Sequence, residues 1–310
     1  MGSLRPIFAS TLTKIGSVDK ELVVVVGDIS HGILSGFRNE FPDRYFNIGI
    51  CEPGTVGLAA GLSHSGLTPV VHTIAPFLVE RTYEQIKLDF GYQNLPGNFV
   101  SVGSSFDYSK LGCSHHSYAD VSLISHLPKG RVFLPGSPIE FEILFEKAYK
   151  EDYINYFRLT ENSHDVVFKR EQINIGEAIR VLEGTDISLI TIGSQLRNCV
   201  EAAKKLRMRG ISVEVIYLPT FKPFDSKAVR RSVEKTSSFI TVEELSSQDG
   251  LYNKVLQSVL GLGKLKGKQM AVSDFIRGYG TYTELQNQAG LSEEYIIANV
   301  ELQLSYGGET

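Results

Sequence analysis

Cysteine is scarce in this chain: Cys51, Cys113 and Cys199 are the only three among 310 residues. An odd count, with no CxxC and no Cys/His pairing at metal spacing, argues against a disulfide framework or a zinc site, and points to reduced thiols in a cytoplasmic protein. Long apolar runs are also missing. The longest, Leu22–Val26, is far too short to span a bilayer, and the first ten residues lack the apolar stretch of a signal peptide. Positive charge is not in excess. A net charge of −4 leaves no basic field for nucleic acid or an anionic membrane. No GxGxxG follows the first apolar run and no GxxxxGK[ST] occurs, so a nucleotide-binding reading is poor. Low-complexity segments and short-period repeats are absent.

What is present is an ordinary globular balance, 42% hydrophobic and 21% charged, in a length that suggests two domains. Short β-rich apolar runs alternate with helical patterns from end to end, the signature of parallel α/β layers. Helical spacing is expected over 7–15, 54–63, 77–90 and 139–149. Strands are expected at 21–27, 68–72, 98–102, 131–134 and 155–159. Residues 103–117 form a loop rich in Gly, Ser and His. A mixed stretch from 161 to 184 reads as the crossing into a second unit. There the alternation resumes, with strands at 187–192, 212–218, 238–243 and 269–272 and helices at 195–209, 226–234 and 250–260. The expected fold is α/β, two domains with mostly parallel sheets, divided as 1–165 and 166–310. In open parallel sheets ligands bind beyond the carboxyl ends of the strands. That rule directs attention to Asp28, the turn before Gly54, residues 72–77, residues 103–116 and Arg158.

Each candidate residue has an ordinary explanation when taken singly. Glu52, in FNIGICEPGTVGLAAGLSHSG, stands where a helix begins, and an acid there suits the helix dipole without further purpose. Its surroundings are less ordinary, because Gly57, Ala59, Ala60 and Gly61 allow close backbone packing around the carboxylate. Phe77, in PVVHTIAPFLVERTYEQ, is equally at home in a core. Arg81, Tyr83 and Gln85 follow it and are placed to face an interface. His115 and His116 sit in GSSFDYSKLGCSHH, a plausible binding loop in which at most one of two adjacent histidines faces a given site. Asp28 closes the first strand, where an acid often satisfies a turn.

Taken in order, these segments resemble the transketolase family, over roughly residues 5–300. The resemblance implies a pyrimidine-binding domain followed by a transketolase C-terminal domain, and thiamine diphosphate as cofactor. By that likeness Glu52 hydrogen-bonds a ring nitrogen of the aminopyrimidine and promotes the tautomer that deprotonates the thiazolium carbon. Phe77 stacks on the ring. Ile74 stands where many members have a second aromatic, so the stacking platform is reduced. Asp28 and Arg81 lie near the cofactor. His115 matches the position that touches the substrate and acts as acid/base or hydrogen-bond donor. Arg158, in YFRLTEN, and Arg5 match the two arginines that bind a substrate phosphate, a task suited to the planar guanidinium fork. Leu111 and Gly32 replace a hydroxyl-gripping acid and a phosphate-binding Ser, which leaves room for other sugars. The ending SDFIRGYGTYTELQNQAGL, with Asp274, Gly278, Gly280 and Glu284-Leu285, resembles the family's C-terminal domain, to which no catalytic residue is assigned. Glu243-Glu244 fits as well.

One family device is missing. Thiamine-diphosphate enzymes hold the diphosphate through Mg²⁺ (or Ca²⁺), using a GDG segment and an Asn about 25–30 residues further on. The nearest string here, Gln248-Asp249-Gly250, lies in the wrong domain, so no metal-ligating residue is expected in this chain. The resemblance therefore implies a partner, an N-terminal transketolase subunit carrying GDG…N, in a self-associating α2β2 heterotetramer that transfers a two-carbon ketol unit between sugars or sugar phosphates. The isolated chain is expected to expose an apolar surface rimmed by Glu52, Phe77 and His115. Three alternatives stand beside this reading. They are the beta subunit of a 2-oxoacid dehydrogenase decarboxylase component, a deoxyxylulose-phosphate-synthase-like carboligase, and a non-catalytic binding module of the same fold.

Overall fold

The computed structural model of the chain describes residues 2–305. Six strands of the first half are β1 (Leu22–Val26), β2 (Tyr45–Asn47), β3 (Thr68–Ile74), β4 (Gly97–Val102), β5 (Gly130–Phe133) and β6 (Ile154–Arg158). The second half contributes β7 (Ile179–Leu182), β8 (Ile187–Ile192), β9 (Val213–Leu218), β10 (Thr220–Lys222), β11 (Ser238–Ser246) and β12 (Lys266–Val272). They form a seven-stranded sheet, β10-β5-β6-β4-β3-β1-β2, and a five-stranded sheet, β12-β11-β8-β9-β7. Every pairing is parallel except β10 with β5 and β7 with β9.

The parallel strands read as the sequence demands. All five residues of β1 are buried, as are all six of β4, β8 and β9, because helices cover both faces of such sheets. Helix Leu196–Met208 buries Leu196, Cys199, Val200, Ala203 and Leu206, a stripe at spacings of three and four. Helix Glu52–His64 uses small residues instead, burying Thr55, Val56, Ala59 and Ala60 against the sheet. No helix among the described residues is long and apolar enough to cross a membrane.

Four departures from the sequence expectations stand out. The helix expected over 77–90 is broken into π turns at Pro76–Glu80 and Ile86–Tyr92 around a short α turn, Tyr83–Gln85. Thr82 makes the break: it leaves helical geometry at φ −115° and ψ 16°, and its hydroxyl donates to the Leu78 carbonyl at 2.5 Å. The mixed stretch before residue 184 hides an edge strand, β7. Helix Asp120–Ser125 follows the Gly/Ser/His-rich loop where no helix was expected. Finally, β10 belongs to the second half in sequence but completes the first sheet, so the two units share an edge.

A buried polar cluster fastens that edge. Glu140 accepts from the Gly136 amide at 2.9 Å, the Ser137 hydroxyl at 2.7 Å and the Tyr217 hydroxyl of β9 at 2.6 Å. His164, from the crossing segment, lies 2.8 Å from the same carboxylate, and both side chains are fully buried. Replacing Glu140 with Ala should lower resistance to urea by about 3 kcal/mol, since it leaves the Tyr217 hydroxyl without an acceptor and His164 without its carboxylate. A denaturation midpoint equal to that of the unaltered protein would show that the cluster is not what joins the units.

Candidate active site

Because β1, β3, β4 and β6 run parallel, their carboxyl ends meet on one edge of the sheet. The register pairs Val26 with His72, Ile74 with Val102 and Ser101 with Arg158. Asp28, Ile74, Phe77, the loop after Gly103 and Arg158 are thereby gathered at that edge. Gly103 starts the loop at φ +79°, and a side chain there would collide with the Tyr108 ring.

Glu52 opens helix Glu52–His64 and is only 3% exposed. A carboxylate at a helix N-terminus is favoured by the unpaired amides of the first turn, but burial this deep calls for a direct partner. Arg81 supplies it. Its Nη1 donates to Glu52 Oε2 at 2.7 Å, while its guanidinium carbon lies 4.2 Å from the centre of the Phe77 ring. Phe77 in turn meets His115 edge-on, with ring centres 5.2 Å apart and planes at 68°. His115 Nδ1 lies 3.0 Å from the Ser114 hydroxyl, and Tyr108 stands 6.3 Å beyond. Glu52, Arg81, Phe77 and His115 thus form one contiguous group drawn from three segments. Ile74, half-buried at the end of β3, lies three residues before Phe77. Asp28 is exposed, and its carboxyl is held below the usual range by hydrogen bonds from His31 at 2.7 Å and Asn47 at 3.2 Å.

One expectation requires correction: Glu52 does not rim an exposed surface, because it is buried beneath Arg81. Arg81 reaches Glu52 and lies over Phe77 while its side chain stays 44% exposed. Both phosphate candidates already have a carboxylate partner. Arg5 pairs with Glu161 at 2.9 Å. Arg158 is 3% exposed, pairs with the buried Asp120 at 2.9 Å and donates to the Ser117 carbonyl at 2.6 Å. Burial opposes its charge, yet Asp120 holds the guanidinium above its ordinary value. An isolated buried cation needs such a carboxylate, and nothing in the pattern YFRLTEN points to one 38 residues earlier. The second domain also reaches the loop: Tyr279 packs on Gly112, and the Gly280 amide donates to Ser109. Glu243, expected only as part of a likeness, is a buried helix cap accepting from the Tyr252 amide at 3.1 Å, and burial pushes its carboxyl up to about 7.

Comparison with known proteins agrees with this fold. Residues 2–165 match the transketolase pyrimidine binding domain, and residues 176–296 match the transketolase C-terminal domain. The chain belongs to the transketolase family. It is 29% identical over 299 residues to the B subunit of apulose-4-phosphate transketolase from Phocaeicola vulgatus, covering 96% of each chain. It is 32% identical to the protein of the same name from Actinobacillus succinogenes, covering 89% of this chain and 90% of that one. Against 1-deoxy-D-xylulose-5-phosphate synthase of Halothermothrix orenii it is 29% identical, over 94% of this chain but 46% of the relative. Among solved structures, a split gene transketolase described as an inactive beta4 tetramer superposes with a TM-score of 0.86 at 27% identity, covering 98% of each chain.

Sequence analysis reached His72 of β3 only as the start of a strand-end segment and gave it no role. Its ring is fully buried, with Nδ1 2.7 Å from the Val100 carbonyl and Nε2 2.9 Å from the Ser30 hydroxyl. Burial pulls its pKa down to about 4, against about 6.5 in an unfolded chain. Between those values the unfolded chain binds more protons, so stability falls as pH drops from 6.5 towards 4. The loss should approach about 3 kcal/mol at the acid end. Urea midpoints across this range should show that component in the unaltered protein and lack it in His72→Gln. Parallel curves for the two would contradict the assignment.

Proposed function

We propose that this chain is the pyrimidine-binding subunit of a split thiamine-diphosphate enzyme that transfers a two-carbon ketol unit between sugars. The observation that carries the reading is the contiguous group Glu52–Arg81–Phe77–His115 in a chain whose two halves both match transketolase domains. The residues fit the cofactor's aminopyrimidine. Arg81 presents a flat group bearing N–H donors, lies over Phe77 and donates to Glu52; a flat heterocycle with ring nitrogen and amino group can use the same two contacts. When bound, thiamine diphosphate supplies a nucleophilic carbon able to break and form carbon–carbon bonds beside a carbonyl.

The chain's own residues have distinct tasks in this reading. Glu52 exchanges a hydrogen bond or proton with the pyrimidine ring, in a pocket that Arg81 and the helix terminus shield from water. Phe77 and Ile74 bear on the faces of that ring. His115, packed against Phe77, donates to or takes a proton from an oxygen of the sugar. Asp28 stands at the outer rim. The metal, Mg²⁺ or Ca²⁺, and the diphosphate fall to a partner subunit, since no GDG occurs in these 310 residues. That division is supported by two relatives of this length that are each one subunit of a transketolase. The inactivity of the similar tetramer built of beta chains supports it as well.

Exposed apolar side chains support assembly. Ile50 and Tyr92 are 78% and 83% exposed, and Leu58 and Leu88, on helix Glu52–His64 and the turn Ile86–Tyr92, are exposed as well. Apolar side chains concentrated beside a site of this kind suit an α2β2 assembly. The free thiols, with Cys51 and Cys113 exposed, suit the cytoplasm.

Two measurements test the reading. In the assembled enzyme, Glu52→Gln should slow proton exchange at the cofactor's reactive carbon by about 10²–10⁴-fold, with the circular dichroism spectrum unchanged; exchange near the original rate would refute the role of Glu52. The chain by itself should show no ketol transfer until a partner carrying GDG…N is added. Turnover by the pure chain would remove the need for a second subunit.

A further inference from the structure

Arg158 occupies the position where a phosphate-binding arginine was expected, but its surroundings are built for another task. Its Nε meets Asp120 Oδ2 at 2.9 Å, and its Nη2 donates to the Ser117 carbonyl at 2.6 Å. Asp120 is fully buried and takes a second bond, from the Tyr156 hydroxyl at 2.5 Å, which in turn lies 2.8 Å from the Ser101 hydroxyl. The pocket beside the guanidinium is narrow and is walled by Ser104, Thr160, Ser194 and Glu244. The Glu244 carboxyl already accepts from Ser194, Gln195 and Tyr282 and offers an anion no donor.

Ser117 is the residue through which Arg158 reaches the site. Its amide donates to the Ser105 carbonyl at 3.0 Å, and its hydroxyl donates to Glu80 Oε1 at 2.7 Å. Glu80 immediately precedes Arg81, the partner of Glu52. His115 lies two residues before Ser117, on the short helical turn Cys113–His115. The carbonyl held by Arg158 therefore sits between the loop that carries His115 and the segment that carries Arg81 and Phe77.

We propose that Arg158, with Asp120, is a positioning residue that anchors the His115 loop against the Glu52–Arg81 segment, and that it does not receive a substrate phosphate. A buried guanidinium suits this purpose because, paired with Asp120 through Nε, it can direct a second N–H at the Ser117 carbonyl. This extends the ketol-transfer reading in assigning His115 a task that needs a fixed loop, but the anchor itself is tested without turnover.

The test compares Arg158→Gln, Arg158→Lys and Asp120→Asn in the full chain. Amide hydrogen exchange over residues 113–119 should quicken by about tenfold in Arg158→Gln and in Asp120→Asn, the effect of losing a hydrogen bond to a charged group. Arg158→Lys, which keeps the charge beside Asp120 but cannot hold both partners, should fall between. Exchange in β8 should stay unchanged in all three, and the His115 ring resonances should move while those of His72 do not. A titration with inorganic phosphate should show no gain of binding in Asp120→Asn. The phosphate reading demands the reverse, since removing Asp120 would free the guanidinium. Tighter phosphate binding in Asp120→Asn with loop protection intact would overturn the anchor. If Arg158→Gln fails to fold, Arg158→Lys and Asp120→Asn decide the matter. Failure of the ketol-transfer reading would appear separately, at the cofactor's reactive carbon.

Discussion

A carboxylate buried at the first turn of a helix cannot stand alone, and the arrangement around Glu52 follows from that constraint. The helix terminus stabilises its charge in part, and the Arg81 guanidinium completes the compensation at 2.7 Å. Arg81 comes to Glu52 from the segment after β3, which winds as π turns on either side of Thr82. The π turns on either side re-aim the side chains that follow each of them. Phe77 is carried with Arg81, and its ring meets His115 from the next loop. One electrostatic requirement thus brings three chain segments into a single group.

The same logic operates a layer deeper. Arg158 at the end of β6 is a buried cation, and Asp120 answers it. Asp120 begins a helix that follows the His115 loop, so neutralising Arg158 also fixes where that loop returns to the sheet. Glu140, at the shared edge of the two units, repeats the pattern with Tyr217 and His164. Each buried charge is matched by a group distant in sequence, and each match fastens a piece of backbone whose position matters for the site. Such pairs contribute little net stability, but breaking one is costly; their effect here is to specify geometry.

Strand after strand could be read directly from the amino acids. Leu22–Val26 and Ile187–Ile192 are continuous β-rich runs, and Leu196–Met208 shows its stripe at helical spacing. The edge strand β7, with Arg180 pointing outward in the middle, has no such run. The three residues of β10 are too few to carry a period. Helical spacing over 77–90 was real, but hydrogen bonding by Thr82 to a carbonyl outweighed it. Glu52, Phe77 and His115 were legible as a group through their order along the chain. Asp120 was not, and His72 only as part of a strand end, because a single polar residue in a strand or at a helix start carries no local sign of what will face it.

Composition and periodicity by themselves determined the class of fold, two α/β units with mostly parallel sheets, and with it the edge at which a site had to lie. They did so because burial of apolar faces depends on local period, and period is a property of the sequence alone. Which charged group meets which was settled only in three dimensions. Arg158 and Arg5 had the right residue type for phosphate, and the fold pairs them with Asp120 and Glu161; Arg81 was placed towards an interface, and it also reaches Glu52. Charge pairing depends on distance through space and on burial, and neither is written in separation along the chain.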